Sequence, residues 1–444
     1  MSRIVVAKFG GSSLASGKEV QRALSIIREE PDRRYIVVSA PGRLSKDDVK
    51  VTDLLIKAHA ASGRARAQAL KEVGNRFTSI AAEVGVPFDT KSYLEKIEQR
   101  INSNLFRNQY DFLVSRGEYL MGRLLADALG YEFLDPMRFI RLTQDGTFSL
   151  KATQSAFARI TFPERAVIPG FYGASSSGWI KTFPRNGSDI SGAIVARLVN
   201  ADIYENWTDT DGVCAADPRL VPFPKRIEVM TRQEMAELAY RGASVLHGAA
   251  LAPLKDRGTV INIRNSRNPM HPGTQVVPET RELPRNRNPV VGIAGKKDFS
   301  VLTVTKQGMS EEVGFLGKLF TVFGTYNVNI TSTPGGIEGQ TAIFEDDQIQ
   351  PIKDQLLAAI TRVTKPDSLE LERRSLAFIC IVGETMKHRH GIAAKALKAL
   401  SSKDVNVRVI DQGASEISIM IGVDNADYEK AIQQLSVTFK LTET

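Results

Sequence analysis

Residues 4–13 read Ile4-Val5-Val6-Ala7-Lys8-Phe9-Gly10-Gly11-Ser12-Ser13. Ile4–Ala7 is an apolar run without alternation, as expected of a short strand covered on both faces. The run empties into adjacent glycines, after which Val20, Ala23, Leu24 and Ile27 recur at helical spacing. Strand, glycine turn and helix in that order let backbone amides approach a phosphate while the helix presents its positive end. Lys8, at the strand's end, is placed to reach a phosphoryl group. By itself a Gly-Gly turn after a strand is usually only a turn. A P-loop is excluded: Gly17-Lys18 follows, but Glu19 stands where that motif needs Ser or Thr.

Outward from this unit the alternation continues. Tyr35–Ser39 reads as a second strand running into Ala40-Pro41-Gly42, followed by helices over Val51–Ala60 and Ala65–Val84. Further strands are expected at Arg165–Pro169, Asp202–Asn206 and Thr259–Asn265, and Thr231-Arg232-Gln233-Glu234 is a capping box opening a helix. Alternation of this length predicts an α/β fold, a mostly parallel open sheet covered by helices.

Between His271 and Asn288 the pattern dissolves into Pro-, Arg- and Asn-rich sequence, which reads as a linker dividing residues 1–288 from 289–444. Beyond it the rhythm changes. Strands are expected at Ser300–Thr305, Val328–Thr333, Gln340–Phe344, Leu369–Arg373, Leu376–Val382, Asn406–Asp411 and Glu416–Val423, with another near the C-terminus. Helices fall at Gly314–Tyr326, Gln350–Val363, Gly391–Ser402 and Tyr428–Thr438. About eight strands and four helices fit two βαββαβ ferredoxin-like units. Tyr326-Asn327-Val328-Asn329-Ile330 and Val405-Asn406-Val407-Arg408-Val409 echo each other as an internal repeat.

Composition closes off several classes. With 444 residues, 42% of them hydrophobic, the chain can bury a large core in two or three domains. Two cysteines, Cys214 and Cys380, exclude a disulfide framework and suit a reducing cytosol. No signal-peptide plan or membrane-length apolar run is present, so the expectation is a soluble, cytoplasmic protein without membrane partners. The net charge of +8 comes from scattered residues with no aromatic-interleaved basic stripe, which argues against nucleic acid. It equally suits an enzyme whose substrates are anions.

Two further segments carry chemistry. Arg185-Asn186-Gly187-Ser188-Asp189 leads into a helix over Ile190–Val199, and Ser188 and Asp189 sit where an N-cap belongs. Arg185 adds a forked guanidinium that matches a carboxylate. Trp207-Thr208-Asp209-Thr210-Asp211-Gly212-Val213 continues to Asp217-Pro218-Arg219. Turn chemistry alone accounts for its Asp, Thr and Gly content, and the spacing to a distal Glu rules out an EF-hand. The His388-Arg389-His390 run reads as solvated rather than as a metal site, and no other metal site is expected.

Together, Lys8–Ser13, Arg185–Asp189 and Trp207–Asp209 with Asp217–Arg219 resemble the three signatures of the aspartate kinases, in the right order, and the C-terminal repeat resembles their paired ACT domains. The resemblance covers essentially the whole chain and implies an amino-acid kinase fold followed by two ACT units. One unit would be inserted in the other, at about 308–373 within 299–307 plus 374–444. It implies ATP-dependent phosphorylation of the β-carboxylate of L-aspartate to 4-phospho-L-aspartate, the entry to lysine, threonine and methionine synthesis. Lys8 would meet the transferred phosphoryl group, Asp189 would hold Lys8, and Gly10, Gly11 and Ser12 would cradle the phosphates. Ser39, Thr52, Glu118, Arg185 and Ser188 would form the aspartate pocket, Glu118 taking the α-ammonium. Without the resemblance, Glu118 would read as a surface helix residue. Thr208, Asp209, Cys214, Arg219 and Ser244 fall on nucleotide positions. Mg²⁺ would arrive with ATP.

Against the family pattern, Asn186 replaces a glycine, Cys214 an aromatic and Ser244 a lysine. Met309, Gly314, Phe315 and Leu316 match the effector turn, with Thr331 on the following strand. Lysine-sensitive members place an acid there and Val328–Thr331 offers none, which weighs against lysine as the effector and leaves threonine, or no effector, open. ACT pairing implies at least a homodimer. With no homoserine dehydrogenase segment before residue 444, a monofunctional enzyme is expected. Two rivals stand beside this reading. A glutamate-5-kinase would prefer another acceptor, which a panel of acceptors discriminates. A non-catalytic amino-acid sensor would bind without turnover.

Overall fold

The structure, a computed structural model, describes residues 3–103, 109–184, 187–242, 248–284 and 286–443. It divides into two compact units. The first comprises residues up to Val213 with 226–236 and 244–283, and the second comprises 214–225, 237–243 and 284–444.

The first unit is built on an eight-stranded sheet. In spatial order its strands are Glu132–Phe133, Ala166–Pro169, Arg33–Val38, Val5–Phe9, Ile203–Thr208, Val260–Asn265, Thr274–Val277 and Val229–Thr231. All neighbours run parallel except Val260–Asn265 with Thr274–Val277. Val5–Phe9 sits at the centre and every one of its residues is buried, which is why the sequence shows no polar alternation there. The helix Gly17–Glu29 turns Val20, Ala23, Leu24, Ile26 and Ile27 into the core, each large side chain contributing about 1.5–3 kcal/mol of burial. The capping box forms as read. Thr231 Oγ1 accepts from the Glu234 amide at 3.1 Å, and Glu234 Oε2 accepts from the Thr231 amide at 2.8 Å, opening the helix Arg232–Tyr240. A small second sheet, Arg141–Leu142, Tyr172–Ser175 and Ile180–Thr182, has no counterpart in the sequence reading because its strands are too short to show periodicity.

The stretch read as a linker holds a strand. Thr274–Val277 pairs with Ile261–Ile263 inside the main sheet, and Thr274 and Val277 are wholly buried. Four residues between prolines are enough to pair with a strand on either side but too few for a pattern.

The second unit carries a six-stranded antiparallel sheet in the order Ile330–Ser332, Gly339–Glu345, Gly292–Thr305, Ser368–Val382, Ser418–Asp424, Val407–Asp411. The two central strands, of 14 and 15 residues, pair along their whole length. Each serves both ferredoxin-like halves. Phe299–Thr305 pairs with Gly339–Glu345 in one half, and Leu376–Val382 pairs with Ser418–Asp424 in the other. The segment 299–307 therefore belongs with the inserted half. The outer half takes its fourth strand from Gly292–Lys296, paired to Phe378–Val382, rather than from a strand near the C-terminus. Gly292, Gly295 and Lys296-Lys297-Asp298 give that segment no strand-like alternation, so the sequence hides it. Leu302, Val304, Phe315, Leu319, Phe323, Phe344, Leu356 and Ile360 form the core of the inserted half beneath helices Phe315–Thr325 and Lys353–Thr364.

Candidate active site

The parallel register builds the site. Lys8 lies opposite Asn206 on the neighbouring strand, so both side chains leave the same face near the strand ends. From the helix Gly187–Leu198, Asp189 reaches Lys8, Nζ to Oδ1, at 2.5 Å. Asn206 joins the two, accepting from Lys8 at 3.4 Å and donating to Asp189 at 3.1 Å. Lys8 and Asn206 are buried, 7% and 2% exposed. Ser188 and Asp189 lie within the helix's first turn, where an acid meets the positive helix end.

Beneath them Glu205 is buried against Arg33, with contacts of 2.7 and 3.1 Å, and accepts from Trp207 Nε1 at 2.9 Å. Trp207 stacks on Phe9, and its carbonyl accepts the Gly10 amide at 3.0 Å. The turn beyond is a 3-10 segment, Gly11–Leu14, and the α-helix starts only at Gly17. Gly11 and Gly42 pack backbone to backbone. The Gly42 amide donates to Gly11 O at 2.9 Å, and a Cβ on Gly42 would stand 2.7 Å from the Gly11 carbonyl carbon. Only glycine permits that approach.

Lys8, Gly11, Ser12, Ser39, Thr52, Glu118, Ser188, Asp189 and Asp209 line one cleft of roughly 580 Å³. Gly10 is not in its lining; it lies beside Lys8, where a Cβ would stand 3.4 Å from the lysine Nζ. Thr208 ends its strand and turns its hydroxyl onto Asp209 at 3.2 Å. Glu118, on the helix Arg116–Leu129, is 5% exposed and not a surface residue. Burial pushes its carboxyl up to about 8, against the pull of the Ala40 amide, its own amide and the Arg116 charge. Its Oε2 has no hydrogen-bond partner among the described residues. The cleft thus holds a paired buried cation and a buried acid with one oxygen unmet among the described residues.

The structure does not bring every expected residue here. Cys214 and Arg219 belong to the second unit and do not line this cleft. Their loop is held by hydrogen bonds from Lys225 N to Leu441 O, Ile293 N to Ala215 O and Gln433 Nε2 to Leu220 O. Arg219 is engaged by Asp217 at 2.6 Å and is 81% exposed. Arg185 and Ser244 lie outside the described residues. The sequence reading omitted Arg43, Lys50, Phe171 and Arg267, which line the cleft, and Asn206 behind Lys8. Asn206 could have been found from its place on the strand beside Lys8, and Arg43 and Lys50 from their position between Ser39 and Thr52. Arg267 carries no such signal.

In the second unit Met309 is buried in a 3-10 turn, and Gly314, at φ 82°, opens the helix Phe315–Thr325. Phe315 is buried, Leu316 is 46% exposed, and Thr331 lies on the edge strand Ile330–Ser332. Glu312, between Gly314 and Met309, is drawn down to about 2 by hydrogen bonds from Lys306 and Lys318.

A glycine turn, a buried lysine and an open polar cleft at the ends of parallel strands are the parts of a kinase acting on a small molecule. Residues 3–265 match the amino acid kinase family and 379–439 an ACT domain. The chain is 36% identical to Aspartokinase 3 of Bacillus subtilis (strain 168), over 98% of each protein. It superposes on the crystal structure of Clostridium acetobutylicum aspartate kinase with a TM-score of 0.88 at 39% identity, covering 99% of this chain and 100% of that one. E. coli aspartokinase III, solved in complex with aspartate and ADP, shares the fold at a TM-score of 0.80 and 24% identity, covering 98% and 99%. The chain belongs to the amino acid kinase family, among its aspartate kinases.

Proposed function

We propose that this chain transfers the γ-phosphoryl group of Mg·ATP to the β-carboxylate of L-aspartate, giving 4-phospho-L-aspartate and ADP. The observation that carries the reading is one cleft holding both Lys8, with its carboxylate partner, and the buried Glu118, whose Oε2 has no hydrogen-bond partner among the described residues. A carboxyl in that state calls for a cation, and the α-ammonium of an amino acid supplies one. Ser39, Thr52 and Ser188 add polar lining around it, and Arg185 is assigned to a substrate carboxylate.

The acceptor is ionised at neutral pH, so no general base is needed. A β-carboxylate oxygen forms the new bond to the γ-phosphorus. The bond to the β,γ-bridging oxygen breaks, and its electron pair leaves with ADP; no proton moves. Lys8 offsets charge on the phosphoryl oxygens, and the amides of Gly11 and Ser12 face the phosphates, while the Gly10 amide is held by the Trp207 carbonyl. Asp189 and Asn206 fix the lysine's position. Thr208 and Asp209 are assigned to the nucleotide side, and Ser244 joins them from the family pattern. Mg²⁺, bound to the nucleotide as part of the substrate, supplies further charge neutralisation.

The second unit is proposed to sense an amino acid, threonine or lysine, through Met309, Gly314, Phe315, Leu316 and Thr331. It is also assigned the pairing of two copies of the chain. Among the described residues no helix is long and apolar enough to cross a membrane, and Cys214 and Cys380, not joined in a disulfide, suit a cytoplasmic setting. Assays of ADP release and hydroxylamine trapping over aspartate, glutamate, acetylglutamate and UMP test the reading. Hydroxamate formed only with aspartate is expected; its absence with active, nucleotide-binding protein overturns the assignment. Adding threonine or lysine to the same assay tests the effector.

A further inference from the structure

Strand Val260–Asn265 ends in a turn, Asn265-Ser266-Arg267-Asn268, to which nothing above gives a role. That turn is pinned to the phosphate end of the cleft. Ser266 Oγ lies 2.8 Å from Ser13 Oγ in a buried contact across 253 residues of sequence. The Ser266 amide and hydroxyl both donate to Thr208 O, at 2.9 and 3.1 Å. Asn265 Oδ1 accepts the Arg267 amide at 2.8 Å, and the Asn265 and Asn268 side chains both donate to Asp211 Oδ1. The backbone under Arg267 is therefore tied at once to the glycine turn and to the 208–211 loop.

The side chain on this platform lines the cleft with Lys8, Gly11, Ser12 and Asp209. Its Nε stands 3.7 Å from Glu19 Oε1, on the first helix, and it is 54% exposed. Glu19 is shared, because its other oxygen pairs with Arg22. The two terminal nitrogens of Arg267 carry no hydrogen bond among the described residues. A guanidinium held over a fixed backbone, with its fork unused, fits a phosphate bidentately. One 3.7 Å contact from a half-exposed guanidinium to a carboxylate already shared with Arg22 is weak and gives way to a phosphate group of greater charge.

We propose that Arg267 makes a second cationic contact to the terminal phosphate of the bound nucleotide, alongside Lys8. The proposal rests on the kinase reading of the cleft and adds a catalytic residue to it. Isothermal titration of ADP and of a non-hydrolysable ATP analogue needs no aspartate and separates the two claims. Arg267→Ala is expected to weaken the analogue about ten- to fiftyfold and ADP less than about threefold, with Arg267→Lys in between. In turnover, kcat falls about ten- to a hundredfold while the aspartate KM stays within about twofold. Equal loss for both nucleotides, or no loss for the analogue, overturns it. Melting temperature controls for folding, and if Arg267→Ala is destabilised, Arg267→Lys decides by the same selective loss. Should the wild type bind the analogue but phosphorylate no aspartate, the acceptor assignment fails while the titration still judges Arg267.

Discussion

Replacing Glu118 by glutamine removes a charge from the cleft while keeping the shape of the side chain. In the ligand-free protein burial holds this carboxyl at about 8, against 4.5 for the ordinary group. The raised acid keeps its proton in the native state up to about pH 8, whereas the unfolded chain loses it near 4.5. Stability from this group is therefore present below about 4.5 and is lost as pH rises through about 8, a swing on the order of 5 kcal/mol. Roughly nine-tenths of molecules hold Glu118 neutral at pH 7. An incoming ammonium binds the ionised form, so aspartate binding should release about 0.9 proton at pH 7. Affinity should rise about tenfold per pH unit up to pH 8 and then level. Glu118→Gln should abolish both effects, weaken aspartate about 10²- to 10³-fold, and raise the melting temperature at pH 8.5, where the wild type carries a buried charge. Calorimetry in two buffers of different ionisation enthalpy reads the proton count, and melting curves read the stability. Wild-type affinity that is flat with pH and free of proton release, or a glutamine variant that binds aspartate normally, would refute the reasoning.

Lys8→Ala should lower kcat by about 10³-fold with a small change in aspartate affinity, measured by hydroxamate formation; near-normal turnover would sink the assigned role. Gly42→Ala forces a Cβ to within 2.7 and 2.8 Å of the Gly11 carbonyl carbon and oxygen. Its kcat/KM should drop at least about tenfold as the phosphate turn shifts, and its melting temperature should fall with the backbone strain. In the second unit, Asp346 is fully enclosed and accepts from Ser300, Arg373 and Arg374, and those donors hold its carboxyl well below the usual range. It contributes stability above about pH 4 and loses it as pH falls through the depressed value. Asp346→Asn should cost about 2 kcal/mol in denaturant melts at pH 7, and the difference from wild type should vanish in acid.

The central strands were readable because full burial on both faces leaves an unbroken apolar run, as at Val5–Val6–Ala7. The helix Val51–Ala60 and the Thr231–Glu234 box were readable because caps and 3.6-residue periodicity are local signals. Gly292–Lys296 was not, since its place in the sheet comes from distant partners, such as Ile379 opposite Gly295 and Val382 opposite Gly292, and not from its own side chains. Placement of the 214–225 loop was also invisible, because the backbone contacts that hold it are made by distant residues such as Leu441. In the cleft, Lys8 and Asp189 were named from motifs, but Asn206 between them depends on strand register, which motifs do not encode. The burial of Glu118 likewise follows from helix packing against Ala40, not from any property of its neighbours in sequence.

Lys8 and Glu118 are buried ionisable groups in opposite situations. Lys8 has its counter-ion built in, so its charge is available to every nucleotide that enters. Glu118 feels the Arg116 charge yet leaves Oε2 without a hydrogen-bond partner among the described residues, a place the substrate ammonium can take. That asymmetry should set which acids the cleft accepts. Succinate offers the same carboxylates as aspartate without the ammonium. It can bind only with Glu118 neutral, so its affinity should be flat or should fall as pH rises through about 8, the reverse of aspartate. Its binding at pH 7 should release no proton, and Glu118→Gln should leave it within about threefold of wild type while aspartate loses at least a hundredfold. Competition calorimetry with the two acids measures all three quantities. If succinate and aspartate respond alike to pH and to the glutamine substitution, Glu118 does not read the ammonium.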